Sequence, residues 1–195
     1  MTITHMDADV DIDVADRELL LPLIKHIPAS FDSQGQVRKH NSGVYIQPIP
    51  TDPRNNISSI LYKEANERGY FKLDILNLSI YNLIKDNQHY EKLMNTPPPW
   101  HRLQEREFVS QLIHLGNFVD NVIETKPVSI PQLAMLLAAV RPAKRHLLHL
   151  PWEEIAKEIW EPPKDTTAFY FKKSHSISYA MLVALHMNII DEQSI

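Results

Sequence analysis

The sequence contains no cysteine, and among its 195 residues only four are glycine. The first absence excludes a disulfide framework and thiolate metal sites, and it suits a reducing cytoplasm. The second excludes the glycine-rich phosphate cradles of Rossmann and Walker nucleotide sites, which need several positions where the backbone turns at positive φ or approaches a phosphate closely. An excess of either charge is missing too, with 20 Lys and Arg against 24 Asp and Glu, a formal net charge of -4 and a pI near 6.2. Such a molecule does not attract nucleic acid through its overall field, so any contact of that kind must come from local patches. Long apolar runs are also lacking. The longest, around residues 130–140, is too short to cross a bilayer about 30 Å thick as a helix. Residues 1–13 are acidic where a signal peptide would be basic and then apolar. The expectation is a soluble, cytoplasmic protein with no membrane partner.

What is present points to a packed core, since 44% of the residues are apolar. Residues 9–14 (DVDIDV) alternate acidic and apolar side chains, the period-2 pattern of a strand with one apolar and one carboxylate face. Residues 16–27 read as a helix capped by Asp16 and limited by Pro22, and residues 28–39 as a polar loop. Further strands are expected at 43–47 and 70–75, with a turn-rich run at 48–56 and a helix at 77–86. The proline run at 96–99 is taken as the boundary between units 1–95 and 96–195. Beyond it only helix patterns occur, at 102–124, 130–141, 152–160 and 174–190. The expected fold class is therefore α+β, a small mixed α/β sheet unit followed by a mainly helical unit.

Asp11 and Asp13 lie two apart on the first strand, so their side chains share a face that Asp9 would join. Carboxylates held that close repel each other unless a cation neutralises them, and oxygen ligands suit Mg2+ or Mn2+. Asp74, between apolar neighbours on another strand, would complete a three-carboxylate cage for two ions. The spacing alone equally describes the solvated face of an edge strand. Two basic clusters follow, Arg141 to Arg145 at the end of an apolar helix and Lys172-Lys173-Ser174-His175 before the last one. The first reads as the ordinary cationic complement to a helix C-terminus, and the second either as a helix start capped by Ser174 with solvated lysines or as an anion site beside exposed N–H groups. His114, His146, His149 and His186 show no paired spacing and read as surface or core histidines.

In order along the chain, these pieces resemble the polymerase core of bacterial replicative DNA polymerase III alpha subunits, the C-family DNA polymerases. The segment from Asp9 to Arg17 resembles the family's Pro-Asp-x-Asp-x-Asp stretch and its following helix. Lys39, His40, Gly43, Val44 and Ile46 match its Lys-His-x-x-Gly-Val-Val-Ile strand, and Phe71 to Leu78 its Lys-Phe-Asp-Phe-Leu-Gly-Leu strand. The run from Leu133 to Pro142 is similar to Leu-Ala-x-x-x-Ala-x-x-Arg-Pro-Gly-Pro, and Phe169 to Ala180 to Phe-Asn-Lys-Ser-His-Ser-x-x-Tyr-Ala. The resemblance implies a palm-and-fingers module that transfers deoxynucleotides by two-metal chemistry in DNA replication. Asp11, Asp13 and Asp74 become the catalytic, metal-binding aspartates, holding two Mg2+ ions or Mn2+ in their place. Lys72, Arg141, Lys173 and His175 become donors to the nucleotide phosphates. The implied partners are a DNA primer–template, deoxynucleoside triphosphates and other replisome proteins.

Departures accompany the likeness. The family's Gly-x-Gly-Ser loop, which precedes the aspartate strand, has no counterpart, Ala143 stands where the family has glycine, and so does Asn77. The chain is expected to be a reduced, virus- or mobile-element-borne relative, working in the host cytoplasm if virus-encoded and completed by another chain. Its competitor is a non-catalytic DNA-binding or replisome-associated protein derived from such a polymerase.

Overall fold

The computed structural model describes residues 10–163 and 170–194. Asp9 and Phe169, both part of the sequence reading, lie outside the described residues. The fold is α+β. The chain divides into two compact units, Met1–Ile84 and Lys85–Ile195, with the proline run inside the second.

The first unit is built on a four-stranded mixed sheet in the order β1-β4-β3-β2, formed by β1 (Val10–Val14), β2 (Ile27–Ser33), β3 (Gln36–Tyr45) and β4 (Leu73–Asn77). β1 runs parallel to β4, while β3 is antiparallel to both β4 and β2. Alternation in β1 and β4 puts Val10, Ile12 and Val14 in register with Leu73, Ile75 and Asn77 on one face. Against the apolar members of that face pack Leu20, Leu21 and Ile24, with Val44 from β3. A second cluster joins Ala29, Tyr45, Ile49, Ile60 and Ala65, the last from helix α2 (Tyr62–Glu67).

Four expectations for this unit are corrected. Asp16 does cap a helix, accepting the Glu18 N–H at 2.9 Å, but helix α1 is only Arg17–Leu20. It tightens to a 3-10 turn at Leu21–Leu23 and ends, because Pro22 has no N–H to continue the ladder and Ile24 is extended. Residues 28–39 are not a loop: they are most of a β-hairpin whose two-residue turn is Gln34-Gly35, with φ of 55 and 81. Both central residues sit in the left-handed region that such turns require. The strand expected at 43–47 is the end of the ten-residue β3. Likewise the helix expected at 77–86 is a 3-10 turn, Ser79–Leu83.

The second unit is helical. After α3 (Asn87–Asn95) come a 3-10 turn at Trp100–Gln104, α4 (Arg106–Gln111), a 3-10 turn at Gly116–Phe118, α5 (Val119–Thr125), α6 (Ile130–Ala139), α7 (Trp152–Glu158) and α8 (Lys173–Gln193). α6 is buried from Leu133 to Ala139 and packs with Phe108, Leu115, Leu147, Ile155, Ile159, Ala180, Val183 and Met187. The single helix expected at 102–124 is broken. Leu112 is extended, His114 is left-handed at φ 62, and a Cβ on Gly116 would come within 2.7 Å of the Ser110 carbonyl oxygen. Among the described residues every strand precedes the helical unit, and no helix is long and apolar enough to cross a membrane.

Candidate active site

Parallel pairing sets Asp11 directly opposite Asp74 on adjacent strands, which lie about 4.8 Å apart. Asp13, two residues on, shares their face, opposite Leu76. The sheet thus gathers the three aspartates on one face, and Lys72, two before Asp74, belongs to it as well. Gly43 of β3 lies opposite Asp74 on the other side.

The carboxylates differ in state. Lys72 Nζ donates to Asp74 Oδ2, and Ser42 Oγ donates to Asp74 Oδ1 at 2.6 Å. Burial pushes the Asp74 pKa up, but those two hydrogen bonds and the nearby cationic charge outweigh it, so its carboxyl titrates below the usual range. Asp13 moves the other way: burial first, then the like charge of Asp11, raise its pKa. Its Oδ1 is buried with no hydrogen-bond partner.

His40 comes from the hairpin strand. Its Nδ1 accepts main-chain N–H groups from Gly43 at 2.9 Å and Ser42 at 3.3 Å, which puts the ring proton on Nε2. Burial, then the Lys72 charge, lower the His40 pKa, so the ring is neutral. Nδ1 also lies 3.8 Å from Asp74 Oδ1. With that lone pair already accepting, the contact is electrostatic proximity and no hydrogen bond. Gly43 is required by space, since a Cβ there would stand 2.8 Å from Lys72 Cδ, 3.1 Å from His40 Nδ1 and 3.2 Å from Ala29 Cβ. Tyr45, fully buried on the same strand, has its hydroxyl pushed up to about 12 by burial and the Asp74 charge.

The oxygen-only donor set on one face and the orphaned Asp13 oxygen fit a hard cation such as Mg2+. As the side chains stand, Asp74 is held by Lys72 and Ser42. Among the described residues no group of three or more His, Asp or Glu side chains is assembled closely enough to hold a metal ion.

The other site residues lie in the second unit. Arg141 follows α6, and its guanidinium carbon sits 4.0 Å from the Phe171 ring centre. Phe171 is stacked on Tyr179 at 5.4 Å and 18°, and His175 lies 6.4 Å from each ring. Arg141 is thereby brought to the segment that opens α8. Burial lowers the Arg141 pKa, though guanidinium keeps its charge. Lys173 is the exposed first residue of α8. The neighbouring cations have structural work: Arg145 donates to the Val140 carbonyl at 3.2 Å and buried Lys144 to the Glu158 carbonyl at 2.7 Å. Ser174 is not the N-cap expected of it, because Lys172 takes that position and no side chain caps the helix.

Sequence reasoning did not select Ser42, Phe171, Tyr179 or His114 as site residues. Ser42 meets Asp74 only through the β3–β4 pairing, and nothing in its local sequence signals that. His114, read as an ordinary core or surface histidine, lies against Tyr179 with ring centres 4.4 Å apart. No family model, curated protein or solved structure matches the chain.

Proposed function

We propose that the chain is a DNA polymerase III alpha-like palm-and-fingers module that transfers deoxynucleotides to a DNA primer–template in the cytoplasm. The observation that carries this reading is the register of β1 against β4, which sets Asp11 opposite Asp74 with Asp13 and Lys72 on the same face. Asp11, Asp13 and Asp74 would hold two Mg2+ ions. Bound there, the ions would lower the pKa of a primer 3′-hydroxyl and neutralise the triphosphate and its leaving pyrophosphate. Asp13, whose pKa is raised by burial and then by the Asp11 charge, would bind them as the carboxylate, and the ions would offset that repulsion. Lys72 would leave Asp74 and donate to phosphate, as would Arg141, Lys173 and His175. Arg141 is stiffened for that task by its contact with Phe171.

The test is primer extension with labelled deoxynucleotide and Mg2+ or Mn2+, run alone and with replisome proteins. Metal-dependent incorporation, lost in Asp74→Asn, is expected. A second reading, a DNA-binding or replisome-associated protein without turnover, is favoured by the Lys72–Asp74 ion pair, which gives the carboxylate a resident cation. It requires no incorporation and salt-sensitive DNA binding that survives Asp74→Asn.

A further inference from the structure

The turn between α4 and α5 carries a histidine that packing alone does not explain. His114 adopts left-handed backbone at φ 62, a conformation unfavourable for a residue with a Cβ. Its neighbours pin it there. Ile113 N–H donates to His186 Nδ1 at 3.1 Å, and Gly116 allows the close approach to Ser110. The turn sets the His114 ring against Tyr179 at 4.4 Å and 61°. Tyr179 stacks on Phe171, and Phe171 carries the Arg141 guanidinium. A phenyl ring would make the same edge contact. The imidazole brings in addition a nitrogen, Nε2, that is buried without a hydrogen-bond partner, an arrangement that costs free energy unless it serves a bound state.

Resting on the nucleotide reading of Arg141 above, we infer that His114 is a proton-coupled phosphate residue: a phosphate seated on Arg141 offsets the guanidinium charge, and His114 then takes a proton from solvent and donates Nε2–H to a phosphate oxygen. Among the described residues, the charged and titratable groups that face it are Arg141, just beyond α6, and Tyr179 on α8. His175 and His186 flank Tyr179 along the same helix, His186 already occupied by the Ile113 N–H. In the unliganded protein, burial and then the Arg141 charge hold the His114 pKa below its ordinary value, so the imidazole starts neutral. An anion on Arg141 reverses the second influence and supplies the missing acceptor. Binding therefore takes up a proton, and affinity rises as pH falls.

The experiment is calorimetric titration of the full chain with Mg2+-complexed deoxyadenosine triphosphate from about pH 8 to pH 6, in buffers of different ionisation enthalpy. NMR observation of the His114 ring, assigned by its loss in His114→Asn, follows the residue itself. Asparagine tolerates left-handed backbone, so this variant keeps the turn. The wild type should bind about tenfold tighter at the lower pH, the effect of one unit of pKa shift on binding. Proton uptake and a raised His114 pKa in the complex should accompany it, and His114→Asn should remove the pH dependence. If the variant does not melt cooperatively, the wild-type ring titration decides alone. Wild-type binding without proton uptake, or an unchanged pH profile in the variant, overturns the inference and leaves the nucleotide reading standing. Absence of wild-type binding, or binding unaffected by Arg141→Ala, overturns that reading and this inference with it.

Discussion

Asp74 shows how much of a carboxylate's behaviour is decided by residues that are distant in sequence. Ser42 and Gly43 reach it across the β3–β4 pairing, and Lys72 reaches it along its own strand. Gly43→Ala would drive a methyl group into Lys72 Cδ and His40 Nδ1. The lysine is the group that can yield, and yielding pulls it off the carboxylate. The variant should lose roughly 1–3 kcal/mol of stability, the usual cost of overpacking, and its Asp74 pKa should rise. Carboxyl NMR titration checks the second point, and an unchanged Asp74 pKa would mean that Lys72 adapts without moving. Lys72→Met should raise the same pKa with little strain. At this level the shared face of Asp11 and Asp13 was legible, because period-2 alternation fixes which residues of one strand share a face, whereas the place of Asp74 beside them rests on the β1–β4 register. The Lys72–Asp74 clasp and the His40 tautomer were not legible. They depend on strand register and on side-chain hydrogen bonds that local composition does not encode.

The elements divide by how local their causes are. α6 and α8 were legible because an apolar run long enough for a helix has few alternatives. The hairpin was missed because β2 and β3 are polar for much of their length, and only Gln34-Gly35 marks the turn. That turn gives a prediction. Gln34 holds φ 55 with a side chain poorly suited to it, so Gln34→Asn should raise the melting temperature by relieving part of the roughly 1–2 kcal/mol that an ordinary side chain costs in the left-handed region. No gain on thermal melting would mean that the turn is held by the strands alone. α8 offers the reverse case. Asn188 is buried, and its Nδ2 donates to the carbonyls of Leu93 and Thr96, each at 2.8 Å, so it ties the end of α3 to the middle of α8. Asn188→Leu would leave those carbonyls without that donor, at about 1–3 kcal/mol by chemical denaturation. The polar side chain amid an apolar helix was visible in the sequence; its partners, about ninety residues away, were not.

Across the molecule, acid sensitivity follows from groups in both units. His40 in the first unit and His114 and His186 in the second have pKa values lowered by burial first of all. Each is neutral in the folded protein and titrates near 6.5 once unfolded. The unfolded chain therefore binds more protons over that interval, so the stability these groups contribute is fully present above about pH 6.5 and is lost as pH falls toward their folded-state values. Asp13, with its raised pKa, has the opposite sign and opposes part of this loss as pH drops toward 4. Asp74 and Glu192 act later. Their carboxyls titrate below the usual range, Glu192 at about 2 through hydrogen bonds from Lys92 and His89. Their contribution persists until the pH passes below about 4. Thermal melts should be level above pH 7, decline from about pH 6.5 downward, and steepen again below about pH 4. His186→Gln keeps a side-chain acceptor for the Ile113 N–H without a group that titrates in this range, and it should reduce the first decline while leaving the second intact. A melting temperature that stays level from pH 7 to pH 5 would mean that the three imidazoles are protonated in the folded state at no cost, and that burial does not set their charge.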